Sequence, residues 1–188
     1  MISDHSGKLV IISAPSGTGK GTVINKLLKR CPDFAFSVSA TTRPTRPGEI
    51  DGKEYYFLTT DRFHEMIANG EFLEYAEYVG NYYGTPSKPV DEFIKSGKTV
   101  LLDIEVLGAK QVMAERPEAI SIFIVPPSMT ELENRLRGRG TDSEEKLAAR
   151  LKRAKQELQE KCHYKHEVVN DSVSRAVDEI IEILGRKD

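Results

Sequence analysis

Ten residues near the N-terminus limit the fold more than any others. The apolar run Leu9-Val-Ile-Ile12 leads into Ser13-Ala-Pro-Ser-Gly-Thr-Gly-Lys-Gly-Thr22, and a helix-period stripe of Val23, Ile24, Leu27 and Leu28 follows. A short β-branched run, a glycine-rich turn and an amphipathic helix in that order make the first βα unit of a parallel sheet. Such a turn lets backbone N–H groups converge on phosphate oxygens. The helix N-terminus contributes partial positive charge, and Lys20 contributes a full one. Ala14, Pro15, Ser16, Gly17, Thr18, Gly19, Lys20, Gly21 and Thr22 are therefore the candidate phosphate cradle. The standard GxxxxGK[ST] pattern is altered at two places: Ala14 replaces the first glycine, and Gly21 stands at the hydroxyl position with Thr22 one residue later. A glycine-rich turn with an exposed lysine is the competing reading.

The rest of the chain continues the alternation. Thr99-Val-Leu-Leu102, Ile120-Ser-Ile-Phe-Ile-Val125 and Val168-Val169 read as strands buried on both faces. Leu147, Leu151, Ala154 and Leu158 read as a helix stripe, with Thr141-x-x-Glu144 as its capping box. The fold class is α/β, a three-layer sandwich on a parallel core sheet. One stretch departs from it. From Phe36 to Tyr83 the chain is rich in Tyr, Thr and alternating runs, with turn signals at Pro47-Gly48, Asp51-Gly52 and Gly80-Asn81. It predicts a small, mostly antiparallel insertion with one helix near Asp61 to Asn69. A second departure is Ser128 to Lys165, which holds ten Lys/Arg against seven Asp/Glu.

Charge and cysteine bound the class of partner. Lys plus Arg is 27 and Asp plus Glu is 29, so a protein that coats nucleic acid is disfavoured, and positive charge for an anion must be gathered locally. Two cysteines without paired spacing give no disulfide framework. No run reaches the ~20 apolar residues of a membrane span, and the early apolar run is too short for a signal peptide. A cytoplasmic protein without membrane or nucleic-acid partners is expected. Cys162-His163-x-x-His166 offers three metal-ligating side chains, but the spacing matches no common zinc site and reads as a solvated helix end.

Arg43 and Arg46 lie three residues apart beside prolines that stiffen the chain, and two guanidinium forks suit a terminal phosphate. Tyr55 and Tyr83 could donate to the same group; a solvated basic loop is the alternative. With the glycine-rich turn, the runs Phe36 to Glu49, Gly52-Lys-Glu-Tyr-Tyr-Phe57, Gly80-Asn-Tyr-Tyr-Gly84, Arg139-Gly-Thr141 and Val169-Asn-Asp171 closely resemble the guanylate kinase family, in order from about Gly7 to Gly185. The resemblance implies transfer of the γ-phosphoryl of ATP to GMP and dGMP, with Mg²⁺ and closure of a lid. It implies a single domain with core segments at about 1–35, 86–127 and 166–188, a GMP-binding insertion at about 36–85 and a lid at about 128–165.

By that resemblance Arg43, Arg46, Tyr55 and Tyr83 hold the GMP phosphate, and Ser39, Glu74, Thr85, Asp103 and Glu105 serve guanine. Asp103 meets Mg²⁺ through water. Arg135, Arg139 and Arg150 are lid arginines that join Lys20 and Arg43 in catalysis, and Asn170 faces adenine. Glu105 stands where the family more often has Asp, and Leu107 where it often has Gln. Glu74 also makes independent chemical sense: guanine presents two adjacent N–H donors, and an ionised carboxylate only accepts. A non-catalytic guanylate-kinase-like binding module and a P-loop kinase acting on a ribose bisphosphate are the alternatives.

Overall fold

The computed structural model describes residues 7–138 and 143–185. In chain order the first half runs β1 (Leu9–Ser13), α1 (Lys20–Arg30), β2 (Phe34–Phe36), β3 (Ala40–Thr41), β4 (Tyr56–Phe57), α2 (Thr60–Ala68), β5 (Phe72–Tyr78), β6 (Asn81–Pro86) and α3 (Ser87–Lys95). The second half runs β7 (Thr99–Asp103), α4 (Val106–Glu115), β8 (Ile120–Val125), α5 (Met129–Arg137), α6 (Glu144–Gln159), a 3₁₀ turn at Glu160–His163, β9 (His166–Val169) and α7 (Val173–Ile183). All four apolar runs form strands of a five-stranded parallel core sheet of order β2-β7-β1-β8-β9, as their β-branched, unbroken character requires. Among the described residues no helix is long and apolar enough to cross a membrane.

The chain forms two compact units. One takes the residues up to Val10 together with Asp33–Ala119. In it β2 pairs parallel with β7, Phe34 opposite Thr99. Its second sheet has the order β4-β3-β6-β5, with β3 and β4 parallel and the remaining pairs antiparallel. Thr59 caps helix α2, its hydroxyl accepting the Arg62 N–H, and the helix buries Phe63 and Met66 against Ala40 and Phe72. The Phe63 ring stacks on Phe72 with centroids 4.4 Å apart. The expected helix and antiparallel pairing are both present. The last turn differs: Val79 and Gly80, both at positive φ, join Tyr78 to Asn81, and Asn81 is already in β6.

The other unit takes Ile11–Pro32 together with the chain from Ile120 onward. Strands β8 and β9 pair parallel, Ile122 opposite His166. Helices α1 and α7 are tied by Lys26 donating to Ser174 and by an Arg30–Asp178 ion pair. Helices α5 and α6 share their own apolar cluster of Leu132, Leu136, Leu147 and Ala154, with Leu151 packed against it. The N-cap of α6 is Ser143, whose hydroxyl accepts the Lys146 N–H at 3.4 Å. The capping box expected at Thr141 is thus replaced by a cap two residues later, and Thr141 itself lies outside the described residues.

Candidate active site

The glycine-rich turn takes the conformation that its composition requires. Gly17 and Gly19 have φ of 93° and 94°, where L side chains are strained. A side chain at either would also have to push a neighbouring side chain aside. A Cβ on Gly17 would lie 2.6 Å from Leu136 Cδ2, and one on Gly19 would lie 2.7 Å from Asn170 Nδ2. Gly19 caps α1, so Lys20 is its first residue and the Thr22 and Val23 amides already bond to the Gly19 carbonyl. Ser13, Pro15 and Thr18 are buried, Ala14, Gly17, Gly19 and Lys20 half-buried, and Ser16, Gly21 and Thr22 exposed. A Cβ at Gly21 would meet nothing within 4 Å. The Thr18 Oγ1 is buried and has no partner among the described residues.

Three side chains expected at the donor side gather on this turn. Arg135 on α5 donates to the Thr18 carbonyl at 3.2 Å and to the Asn170 carbonyl at 3.0 Å, and its Nε is held by Glu131 at 2.8 Å. Asn170, only 2% exposed, donates its Nδ2 to the same Thr18 carbonyl at 2.7 Å. Arg150 on α6 donates to Ser16 Oγ at 2.7 Å. The two helices of the segment that resembles a lid thus both reach the glycine-rich turn through an arginine. Arg139 lies outside the described residues.

The acceptor side is built on the second sheet. Arg43, just after β3, makes two 2.8 Å hydrogen bonds to Glu49, and its guanidinium carbon lies 5.2 Å from the Tyr55 ring centre and 5.5 Å from that of Phe57. Tyr55 meets Tyr83 edge-on at 6.1 Å. The Glu49 carboxylate also accepts the Arg46 N–H at 2.8 Å, while the Arg46 side chain is exposed. Hydrogen bonds from Arg43, then from the Arg46 backbone, hold the Glu49 carboxyl down at about 2. The Glu49 hydrogen bond in turn raises Arg43 above its ordinary value. Burial pushes the Tyr55 phenol up, and the negative charges of Tyr83 and Asp103 add to that shift. Arg43, Tyr55, Tyr83 and Asp103 thus share one electrostatic neighbourhood.

Glu74 is placed by an irregularity. Along β5, Phe72 faces Pro86 but Glu74 faces Thr85, a bulge that inserts Leu73 and leaves Phe72, Leu73 and Glu74 all buried. Strict alternation would have made Glu74 a half-exposed strand position; the bulge makes it 7% exposed. Its Oε1 accepts the Thr85 hydroxyl at 2.6 Å. Burial raises its pKa, and the Thr85 side-chain and backbone bonds counter part of that rise. Ser39 is half-buried, and its carbonyl accepts the Tyr56 N–H. Asp103 ends β7 half-buried, and the N-cap of α4 is Glu105, exposed, with no side-chain cap bond.

Three contributors escape the sequence pattern: Glu49, Gly108 and Gln111. Glu49 stands six residues after Arg43 and three after Arg46, a spacing that a stiff turn can close into an ion pair. Gly108 packs against the Glu74 carboxylate and Gln111 bonds to the Tyr75 backbone, each more than thirty residues away in sequence, so no local signal marks them.

A family model described as guanylate kinase matches residues 6–187. The guanylate kinase of Nostoc sp. is 55% identical over 93% of this chain and 88% of its own length. That of Synechocystis sp. is 51% identical over 97% and 95%. The crystal structure of guanylate kinase from Anaplasma phagocytophilum superposes with a TM-score of 0.77 at 37% identity, covering 97% of this chain and 86% of that one.

Proposed function

The chain belongs to the guanylate kinase family, and from that membership we infer that it is an ATP:GMP phosphotransferase. An oxygen of the GMP phosphate attacks the γ-phosphorus of ATP in line, the bond from that phosphorus to the β–γ bridging oxygen breaks, and ADP and GDP leave. The same proposal extends to dGMP as acceptor and to a cytoplasmic setting. The observation that carries the acceptor assignment is the buried Glu74 carboxylate, steadied by Thr85, on the sheet that also bears Arg43, Tyr55 and Tyr83.

The acceptor phosphate is already ionised near neutral pH, so no general base is needed. What the protein must supply is positioning and neutralisation of charge that spreads over the transferred group. On the donor side the turn from Ala14 to Thr22 takes the ATP phosphates, through backbone N–H groups of its glycines and of Lys20 and through the Lys20 ammonium. Arg135 and Asn170 brace that turn through Thr18, and Arg150 through Ser16. Arg139, with Arg135 and Arg150, is assigned to the transferred group in the closed complex. On the acceptor side Arg43, Arg46, Tyr55 and Tyr83 take the GMP phosphate, and Ser39, Glu74, Thr85 and Glu105 take guanine.

Bound to ATP, Mg²⁺ would neutralise phosphate charge. Magnesium in such complexes keeps several waters, and the half-buried Asp103 carboxylate suits a contact through one of them. Adenine would set a ring-nitrogen lone pair against Glu74 and leave a buried carboxylate unpaired, a mismatch that can discriminate strongly. A coupled assay of ADP release from MgATP with GMP, dGMP, AMP, UMP and a ribose bisphosphate tests this function. Release with GMP and dGMP only is expected; no release with GMP overturns the assignment.

A further inference from the structure

The side chain that reads guanine in the function proposed above is held on one side by Thr85. Its other side faces α4. Gly108, in the first turn of that helix, is fully packed, and a Cβ built on it would lie 2.3 Å from Glu74 Oε2 and 2.8 Å from Glu74 Cδ. That is about 1 Å inside ordinary van der Waals contact. Nothing about the backbone demands glycine there, since Gly108 is absent from the positive-φ residues. Glycine is also a poor helix former. The residue is explained by the carboxylate it makes room for.

One turn further along α4, Gln111 pairs with the backbone of the residue after Glu74. Its Oε1 accepts the Tyr75 N–H at 3.2 Å and its Nε2 donates to the Tyr75 carbonyl at 3.0 Å. A side-chain amide used in this way stands in for a neighbouring strand. It fixes the β5 backbone immediately beyond the bulge that turns Glu74 inward.

We propose that α4 is the positioning element for base recognition, with Gly108 setting where the Glu74 carboxylate lies and Gln111 fixing the strand that carries it. This rests on the reading that Glu74 accepts from guanine. Two donors on one base edge demand a carboxylate set to within a fraction of an ångström. A shift of about 1 Å is the scale at which recognition and turnover fall steeply. In Gly108→Ala the new methyl group meets the flexible end of the Glu74 side chain rather than backbone, so the variant should fold with the carboxylate displaced from its bond to Thr85.

The test is steady-state kinetics on the full chain for Gly108→Ala, Gln111→Ala and Glu74→Gln, and for each of the first two combined with Glu74→Gln. The acceptors are GMP and IMP, which keeps the ring N–H but lacks the 2-amino donor. For Gly108→Ala, kcat/KM with GMP should fall roughly tenfold or more, chiefly through KM, while KM for ATP stays put and the preference for GMP over IMP shrinks. Gln111→Ala should do the same more weakly, by a few fold. Neither substitution should alter the preference further in the Glu74→Gln background, because coupled residues are non-additive. Wild-type preference in both single variants, with Glu74→Gln impaired, overturns the positioning proposal. An equal loss toward GMP and ATP also overturns it, since that marks a general structural role. Unchanged preference in Glu74→Gln instead overturns the guanine reading beneath it.

Discussion

Arg43 and Glu49 are bound face to face through two hydrogen bonds, and the same carboxylate takes the Arg46 N–H. The arginine fork that is assigned to a phosphate is therefore already ordered by an internal anion. With its carboxyl near 2 against an ordinary 4.5, Glu49 binds a proton less readily in the folded chain than in the unfolded one. The stability it contributes is complete above the ordinary value and is lost as pH falls toward the folded one. Glu49→Gln should unfold at lower urea than the parent at pH 7, and the gap should narrow as pH drops below about 4.5. A gap that stays constant across that range counts against the pair. Single residues were legible where their chemistry is local. Lys20, Gly17 and Gly19 sit in a continuous motif whose spacing states its purpose. Glu49 ends the Phe36 to Glu49 run without a local signature, because its role exists only once the Pro-rich turn brings it back onto Arg43.

Among the elements, strands were legible from unbroken β-branched runs, and α2 from its apolar period. The β5 bulge was not, because an extra residue in one strand is defined by its partner, and Phe72-Leu-Glu-Tyr carries no glycine to mark it. The cap of α6 moved from Thr141 to Ser143 for a simpler reason: either hydroxyl precedes a glutamate-rich first turn, and the pattern alone does not choose. The hairpin turn shows a local mismatch. Val79 has φ 50° and is 79% exposed, so a β-branched side chain occupies the left-handed region without packing to offset the cost. Two-residue turns with positive φ at both positions favour Asn-Gly. Val79→Asn should stabilise the protein by about 1 kcal/mol, read as a higher urea midpoint. A lower midpoint would mean that the valine has a use that the fold does not reveal.

For the molecule as a whole, on the assignments proposed above, the balance of 27 basic against 29 acidic residues conceals a division of labour between two nucleotides. One unit carries the glycine-rich turn with Lys20, Arg135 and Arg150; the other carries Arg43, Arg46 and Glu74. Ligand binding should therefore be separable by thermal shift. MgATP and GMP should each raise the melting temperature of the parent, by the equivalent of about 2.7 kcal/mol at a hundred times Kd. Lys20→Ala should lose most of the MgATP shift and keep the GMP shift. A full MgATP shift in that variant would remove Lys20 from phosphate binding.

Strand β5 is the last strand of its sheet, and it displays Tyr75 and Tyr78 with 41% and 55% of their surface exposed. The outer edge of such a strand is a template on which another copy of the chain can add a strand. The amide of Gln111 occupies the N–H and C=O of Tyr75, in the middle of that edge. A ladder started there by an incoming strand would have to displace it. Loss of that amide should therefore open the edge to self-association, which lower solubility of Gln111→Ala at high concentration would report.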